Sequence, residues 1–205
     1  MTVMVEALSP RTYPGSVFID FETDPGANML KVNPEFELTA RSGIQNDIPA
    51  GQGENYLLLE GTDNVVPNYF VGLFEIYASY SGQTYIPLPV QAPEDLYFNA
   101  FVYHDGRPHT IAVIQFATDT NGDGLFTDGI DQTFQIAGDY PLNWKGWRQI
   151  SHPMSDLGIT DVQMSKLVAI RVLLISNLNA QPNPPLQVLL GIDNLTFTVD
   201  KALEL

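Results

Sequence analysis

The sequence predicts an all-β protein, a single β-sandwich of the jelly-roll kind with about ten strands. Three observations carry this prediction. Short apolar or alternating runs recur along the chain, each closed by Gly, Pro, Asn or Asp. Gly and Pro are plentiful and scattered, 16 and 15 of 205 residues, and aromatic residues make up 11%, a balance that suits short strands joined by tight turns. Sustained helical periodicity is nearly absent. The length is enough to bury a sizeable core in one domain.

Taken in order, residues 1–16 carry two prolines and no sustained period, and read as a leader or linker to a sandwich over 17–205. VFIDFET (17–23) alternates and predicts a strand, DPGANML a turn, FELTA (36–40) a short strand and SGIQNDIPAGQGEN a long loop. NYLLLEG (55–61) and YFVGLFEIYASY (69–80) are strand-like, and Gly72 inside the second predicts a bulge or a close backbone approach. LYFNAFVYHDG (96–106) ends in an Asp-Gly turn, and HTIAVIQFA (109–117) with QTFQIAG (132–138) predicts a hairpin. WRQISHPM (147–154) is a strand broken at Pro153, and SDLGITDVQM a connection with room for one helical turn. KLVAIRVLLIS (166–176) also fits a helical face, but its β-branched content and length favour a strand buried on both sides. LQVLLGIDNLTFTVD (186–200) is the last strand.

Composition excludes several functions. With 24 acidic against 9 basic side chains the formal charge is minus 15, which repels nucleic acid and anionic membrane. Zero cysteines remove disulfides, Cys-ligated zinc and a Cys nucleophile. The longest apolar run, LVAIRVLLI, is too short to span a membrane and contains Arg171. The first residues lack the charged start and apolar stretch of a signal peptide.

The hairpin is interrupted by DTNGDGLFTDGID, which places Asp119, Asn121 and Asp123 two apart, followed by Gly124 and the carbonyl of Leu125. Side chains so spaced converge on a hard cation that takes six to eight oxygens, and the pattern begins like an EF-hand loop. It then departs from that pattern, because Ile130 stands where a bidentate Glu would close the shell, leaving Asp128 or Asp131 to do so. Calcium is the expected ion; the alternative is a bare Asn-Gly and Asp-Gly turn. His104, His109 and His152 have no metal spacing, and adjacent strand residues such as His104 and Asp105 point to opposite faces. No acid, base and nucleophile constellation stands out.

Several segments resemble the galactose-binding-like jelly-roll domains that include many carbohydrate-binding modules. VFIDFET looks like the opening "DFE" strand of that family, GENYLLLEG like its "G-x-Y-x-L" strand, and GWRQISHPMSDLG like its Trp-led strand ending in "PLSDF". MSKLVAIRVLLIS followed by LLGIDNLTF is similar to its last two strands. The resemblance covers most of residues 17–199. It implies glycan binding without catalysis, outside the cell or at its surface, often beside neighbouring domains. It also implies a structural calcium joining the first and last strands, with Glu22 and Asp193 as ligands. The long 119–131 loop is an addition to the family pattern.

A ring face covers the apolar face of a pyranose while nearby amides and carboxylates take its hydroxyls. Trp144, in a Pro-led loop, is therefore the first expected glycan contact, with Tyr77, Tyr80 and Tyr85 clustered around one turn, whereas Trp147 reads as core. The expected function is a non-catalytic, calcium-stabilised carbohydrate-binding module for a polysaccharide or oligosaccharide. The alternatives are an adhesive or structural sandwich that packs on another protein, and a jelly-roll lyase or glycoside hydrolase.

Overall fold

The structure, a computed structural model, describes residues 15–23, 30–32, 42–48, 50–63, 70–107, 110–136, 140–142, 144–176 and 186–200. Among the described residues, twelve strands lie in two antiparallel sheets. The first sheet runs β10 (Lys145–Pro153), β6 (Leu96–Asp105), β12 (Leu186–Val199), β4 (Tyr56–Asp63), β3 (Gly43–Gln45), with β1 (Gly15–Ile19) also on β12. The second runs β2 (Leu30–Val32), β5 (Phe70–Tyr77), β11 (Leu167–Ser176), β7 (Thr110–Thr118), β8 (Gln132–Gln135), with β9 (Tyr140–Pro141) also on β7. The β-sandwich read from the sequence is the architecture found.

The core lies between the sheets and is built by alternation. Leu57, Leu59, Phe98, Ala100, Val102, Leu190 and Ile192 face inward from the first sheet, against Phe74, Ile76, Ile114, Phe116, Ile170 and Val172 from the second. Phe98 meets Phe116 edge to face, centroids 5.0 Å apart, and each such buried ring contributes about 1.5–3 kcal/mol by leaving water. β11, the run with a helical rival, is a strand buried on both faces between β5 and β7. Opposite Gly72 its register slips between Leu174 and Ile175, which is the bulge expected there.

Some expectations are corrected. GIQ, assigned to a loop, adds β3 to the edge of β4, and the two-residue β9 carried no pattern at all. The alternation read in VFIDFET fails after Val17, where a register shift against β12 lets Phe18, Ile19 and Phe21 all become buried, Phe21 at φ +58°. The strand over 69–80 ends at Tyr77 in a 3₁₀ turn. The single helical turn is α1 (Asp161–Met164), closed by a reciprocal Thr160–Gln163 capping box. The strand expected at 36–40 and His109 lie outside the described residues, as do residues 1–14 of the leader expected over 1–16, whose last two residues, Gly15 and Ser16, instead belong to β1.

Candidate functional site

Each sheet has an outer face, and the two differ. On the first sheet, register places Trp147 opposite Tyr103, Tyr103 opposite Gly191, Gly191 opposite Leu58 and Leu58 opposite Gly43. These five residues form one row across the strands. The row is close-packed at Gly191, which is buried and where a Cβ would come within 2.9 Å of the Tyr103 Cβ, 3.4 Å of the Tyr56 ring and 3.5 Å of the Trp147 ring. Trp147 and Tyr103 stay partly exposed, centroids 5.3 Å apart and planes inclined by 52°. Tyr56 supports Trp147 edge-on at 5.5 Å and is itself held by its hydroxyl donating to Asp47 at 2.6 Å. The result is a cross-strand aromatic row whose partly exposed surface is the rings of Trp147 and Tyr103, with Gly191 and Leu58 buried beneath them.

Polar groups stand on both sides of the row. Arg107 is paired with Glu60 at 2.9 Å and Asp105 at 2.8 Å on one side, while Gln149 follows Trp147 on the other, with the loop 46–55 beyond it packing Ile48 and Ala50 against Tyr56. Trp147 was expected in the core; the structure puts it on this face instead. The signal was present in WRQISHP, where Trp147 alternates with Gln149 and Ser151, a polar set, and Ile150 lies on the other side.

The loop 46–55 also closes over Glu22 and Asp193. Glu22 accepts from the Glu54 and Asn55 amides at 2.8 and 3.1 Å, and Asp193 Oδ2 accepts from the Gln52 amide at 2.7 Å. Gly51 and Gly53 make this possible: a Cβ at Gly51 would strike Phe101, and one at Gly53 would collide with the Glu22 carboxylate. A bulge in β12, with Asn194 at φ +47°, turns Asp193 into this corner, where it is wholly buried and its Oδ1 has no hydrogen-bond partner. Burial pushes its carboxyl up to about 7; the amides of Gln52 and Asn194 work against the rise, and the charges of Glu22 and Asp20 add to it. An orphaned oxygen among like charges is what an oxygen-seeking cation would relieve, so the residues fit calcium. Among the described residues no three His, Asp or Glu side chains are already gathered for a metal, and main-chain oxygens would have to complete a shell.

The 119–131 loop folds against the outer face of the second sheet. Asp119 is fully buried and accepts from the amides of Gly122 and Gly124 at 2.5 and 2.8 Å and from the Tyr85 hydroxyl at 3.0 Å. Burial alone would raise its carboxyl, but the Gly124 and Gly122 amides and Tyr85 outweigh it and hold the pKa below the ordinary value. Asp131 takes the amides of Thr120 and Thr127, Asp123 that of Leu125 and the side-chain amide of Asn121, while Asp128 is exposed. Every carboxylate oxygen has a second lone pair, so the all-oxygen set still fits calcium chemistry with the amides in place.

That loop removes the expected tyrosine platform. Tyr77 is 2% exposed, its hydroxyl donates to Glu75 at 3.0 Å, and burial first, then Glu75, push its phenol far above the usual range. Phe126 packs over Tyr77, Ala117, Val168 and Ala169, with the Arg171 guanidinium 4.4 Å from its ring centre. Tyr85 is half-buried with its hydroxyl on Asp119, which raises its pKa. The Tyr80 side chain lies outside the described residues. Trp144 is not the freely exposed ring expected: it leans on the main core, donates to the Gly146 carbonyl at 3.1 Å, and has Arg148 5.0 Å over its face.

A two-sheet jelly-roll sandwich with a partly exposed aromatic row across one outer face is thus the class of protein that fold and site define. The same fold occurs in solved structures. A family 30 carbohydrate-binding module superposes at TM-score 0.53 with 11% identity over 86% of this chain and 80% of that one. The CBM22-1 xylan-binding domain from Paenibacillus barcinonensis gives 0.51, with 11% identity over 94% and 100%. The family 30 module of a cellulosomal cellulase of Clostridium thermocellum gives 0.50, with 12% identity over 93% and 96%. No family model and no curated protein matches the sequence. The fold is accordingly that of carbohydrate-binding modules, and no helix among the described residues is long and apolar enough to cross a membrane.

Proposed function

We propose that this chain is a non-catalytic carbohydrate-binding module that takes a polysaccharide on the aromatic row across its first sheet. The observation that carries the reading is the row Trp147–Tyr103–Gly191–Leu58–Gly43, in which the rings of Trp147 and Tyr103 stay partly exposed over a buried base and are flanked by hydrogen-bonding side chains. A sugar ring can stack there while its hydroxyls meet Gln149 on one side and the Arg107 cluster on the other. The fold shared with solved carbohydrate-binding modules supports it. Such modules imply a place outside the cell or at its surface, next to other domains, and we adopt that context for this chain.

A shallow site orders few ligand atoms, so the constant falls between millimolar and micromolar, about 4–8 kcal/mol. Titration of soluble polysaccharides against wild type and Trp147→Ala tests the reading, with a loss in the variant of about 2 kcal/mol, roughly thirtyfold. Equal binding by Trp147→Ala would move the site elsewhere. Release of reducing ends on incubation would make the protein a hydrolase instead.

We assign calcium to two places within the same reading, Glu22 with Asp193 and the 119–131 loop. The orphaned Asp193 Oδ1 supports the first and the alternating Asp119, Asn121 and Asp123 the second. Bound calcium would supply positive charge that offsets the carboxylates, leaving the chain's own amides to position them.

A further inference from the structure

We propose that Asp47 and Tyr56 are positioning residues for the Trp147 ring, and that the loop 46–55 ties them to the Glu22–Asp193 corner, so that an ion bound there tightens glycan binding at the row. This rests on the glycan and calcium readings above and adds the coupling between them. Trp147 belongs to β10, which among the described residues has β6 as its one strand neighbour, so the sheet grips its main chain from a single side. Side chains must fix the ring. Tyr103 meets it at 52° and Tyr56 edge-on at 85°, with centroids 5.3 and 5.5 Å away.

Tyr56 is 1% exposed and reaches Trp147 from β4, two strands further in than Tyr103. Its phenol donates to Asp47 Oδ1 at 2.6 Å, a charge-assisted bond that limits how far the ring can turn. The loop that carries Asp47 is clamped again at the corner. The Asn55 amide, one residue before Tyr56, donates to Glu22 Oε1 at 3.1 Å, and the Asn55 side chain donates to Glu22 Oε2 at 3.3 Å. Gln52 is held twice, its amide by Asp193 Oδ2 at 2.7 Å and its side-chain oxygen by the Asn194 side-chain amide at 3.0 Å. Gly51 lies against Phe101 and Asp193, and Ile48 and Ala50 pack on the cluster that holds Tyr56 and Trp147. Contacts therefore run from both carboxylates through the loop to the ring.

The corner is also where charge has the most to change. Asp193 is wholly buried with Oδ1 unpartnered, and Glu22 and Asp20 add like charge to it. Positive charge there offsets the mutual repulsion of the carboxylates that hold the loop, so the amides of Gln52, Glu54 and Asn55 keep their acceptors in place. A loop ordered in advance reduces the ordering left for a sugar to impose at Trp147, and by linkage the sugar must favour the ion to the same degree.

Two tryptophans occur in the chain, so Trp144→Phe leaves Trp147 as the reporter. Its emission is followed during a calcium titration without glycan. A soluble mixed-linkage β-glucan and a soluble xylan are then titrated by calorimetry in EDTA and in excess calcium. Trp144→Phe is used alone and combined with Tyr56→Phe, Asp193→Asn or Asp123→Ala, each with its melting curve. In Trp144→Phe, calcium is expected to shift the emission and to tighten the glycan about fivefold or more. Tyr56→Phe is expected to keep a calcium-dependent melting shift and lose both responses. Asp193→Asn should lose them too, and Asp123→Ala, in the loop on the second sheet, should keep them. Calcium that raises the melting temperature while leaving Trp147 emission and glycan affinity unchanged overturns the coupling and leaves both readings standing. Equal responses with and without the Tyr56 hydroxyl also overturn it. Absence of any calcium heat and melting shift removes the ion and the proposal together, and binding of neither polymer by wild type removes the glycan reading and the proposal. Should Trp144→Phe or Tyr56→Phe fail to fold, Asp47→Ala beside wild type, read by the same calcium-dependent glycan titration, decides.

Discussion

The outer faces of the two sheets carry similar ingredients and end differently. Trp147, Tyr103 and Tyr56 lie on the first, beside Arg107 with Glu60 and Asp105. Tyr77 lies on the second, joined by Phe126 and Tyr85, beside Arg171 with Glu75 at 3.0 Å. On the first face the loop 46–55 packs Ile48 and Ala50 on the sheet yet leaves Trp147 and Tyr103 partly exposed, and on the second the 119–131 loop lowers Phe126 onto Tyr77 and buries it. Aromatic content alone therefore does not say which face keeps its rings in reach of solvent. What decides it is where the covering loop sets its side chains relative to the rings.

The largest effect that tests this contrast is on the covered face. Phe126→Ala should cost about 3 kcal/mol, the low end for a buried phenylalanine because the ring sits at a rim, and leave polysaccharide affinity as it was. Urea unfolding beside calorimetric titration checks both, and a variant that lost glycan binding while keeping its stability would reverse the roles of the two faces. Calcium comes next. For a site of about 10 μM, 1 mM free ion adds about 2.7 kcal/mol, a melting shift of roughly 5–10 °C at this size. Asp193→Asn and Asp123→Ala apportion the shift between corner and loop, and a melting curve indifferent to both EDTA and added calcium would remove the ion from both.

The smallest effect concerns His152 on the inner side of β10. Burial holds its imidazole below the ordinary pKa, with Asp156 opposing, and its Nε2 has no partner. A depressed folded pKa means that the neutral ring's contribution is complete above about pH 6.5 and is lost as pH falls through the folded value. His152→Gln should flatten the acid limb of the stability curve below about pH 6.5, read from urea midpoints as the pH is lowered. A limb of unchanged slope would show that other groups set it.

Much of this was legible in the chain and some was not, for reasons that differ by element. KLVAIRVLLIS reads as a doubly buried strand because both of its neighbours bury it, so no polar face was needed. β3 and β9 were invisible because two or three residues carry no period, and only the edge they pair with makes them strands. At the site, Gly191 sits inside the last strand with no local signal of its own, and its meaning depends on Tyr103 and Trp147 standing beside it across two strand pairings. The tyrosines at 77 and 85 were misjudged because nothing local says that Phe126, more than forty residues on, lands on them. The corner of Glu22 and Asp193 was found by family pattern, while the glycines at 51 and 53 that admit the loop to both carboxylates show their purpose only in three dimensions.

The pairing of β1 with β12 has one more consequence. Gly15 lies directly opposite Thr198, so the two positions are about 5 Å apart and the first and last described strands of the sandwich lie side by side in one sheet. A fold wired this way is portable: it can be spliced into a surface loop of another protein without prising the host apart. Joining the two positions by a few residues and opening the chain at an exposed turn such as Gly106 would give a permuted protein with the same sheets.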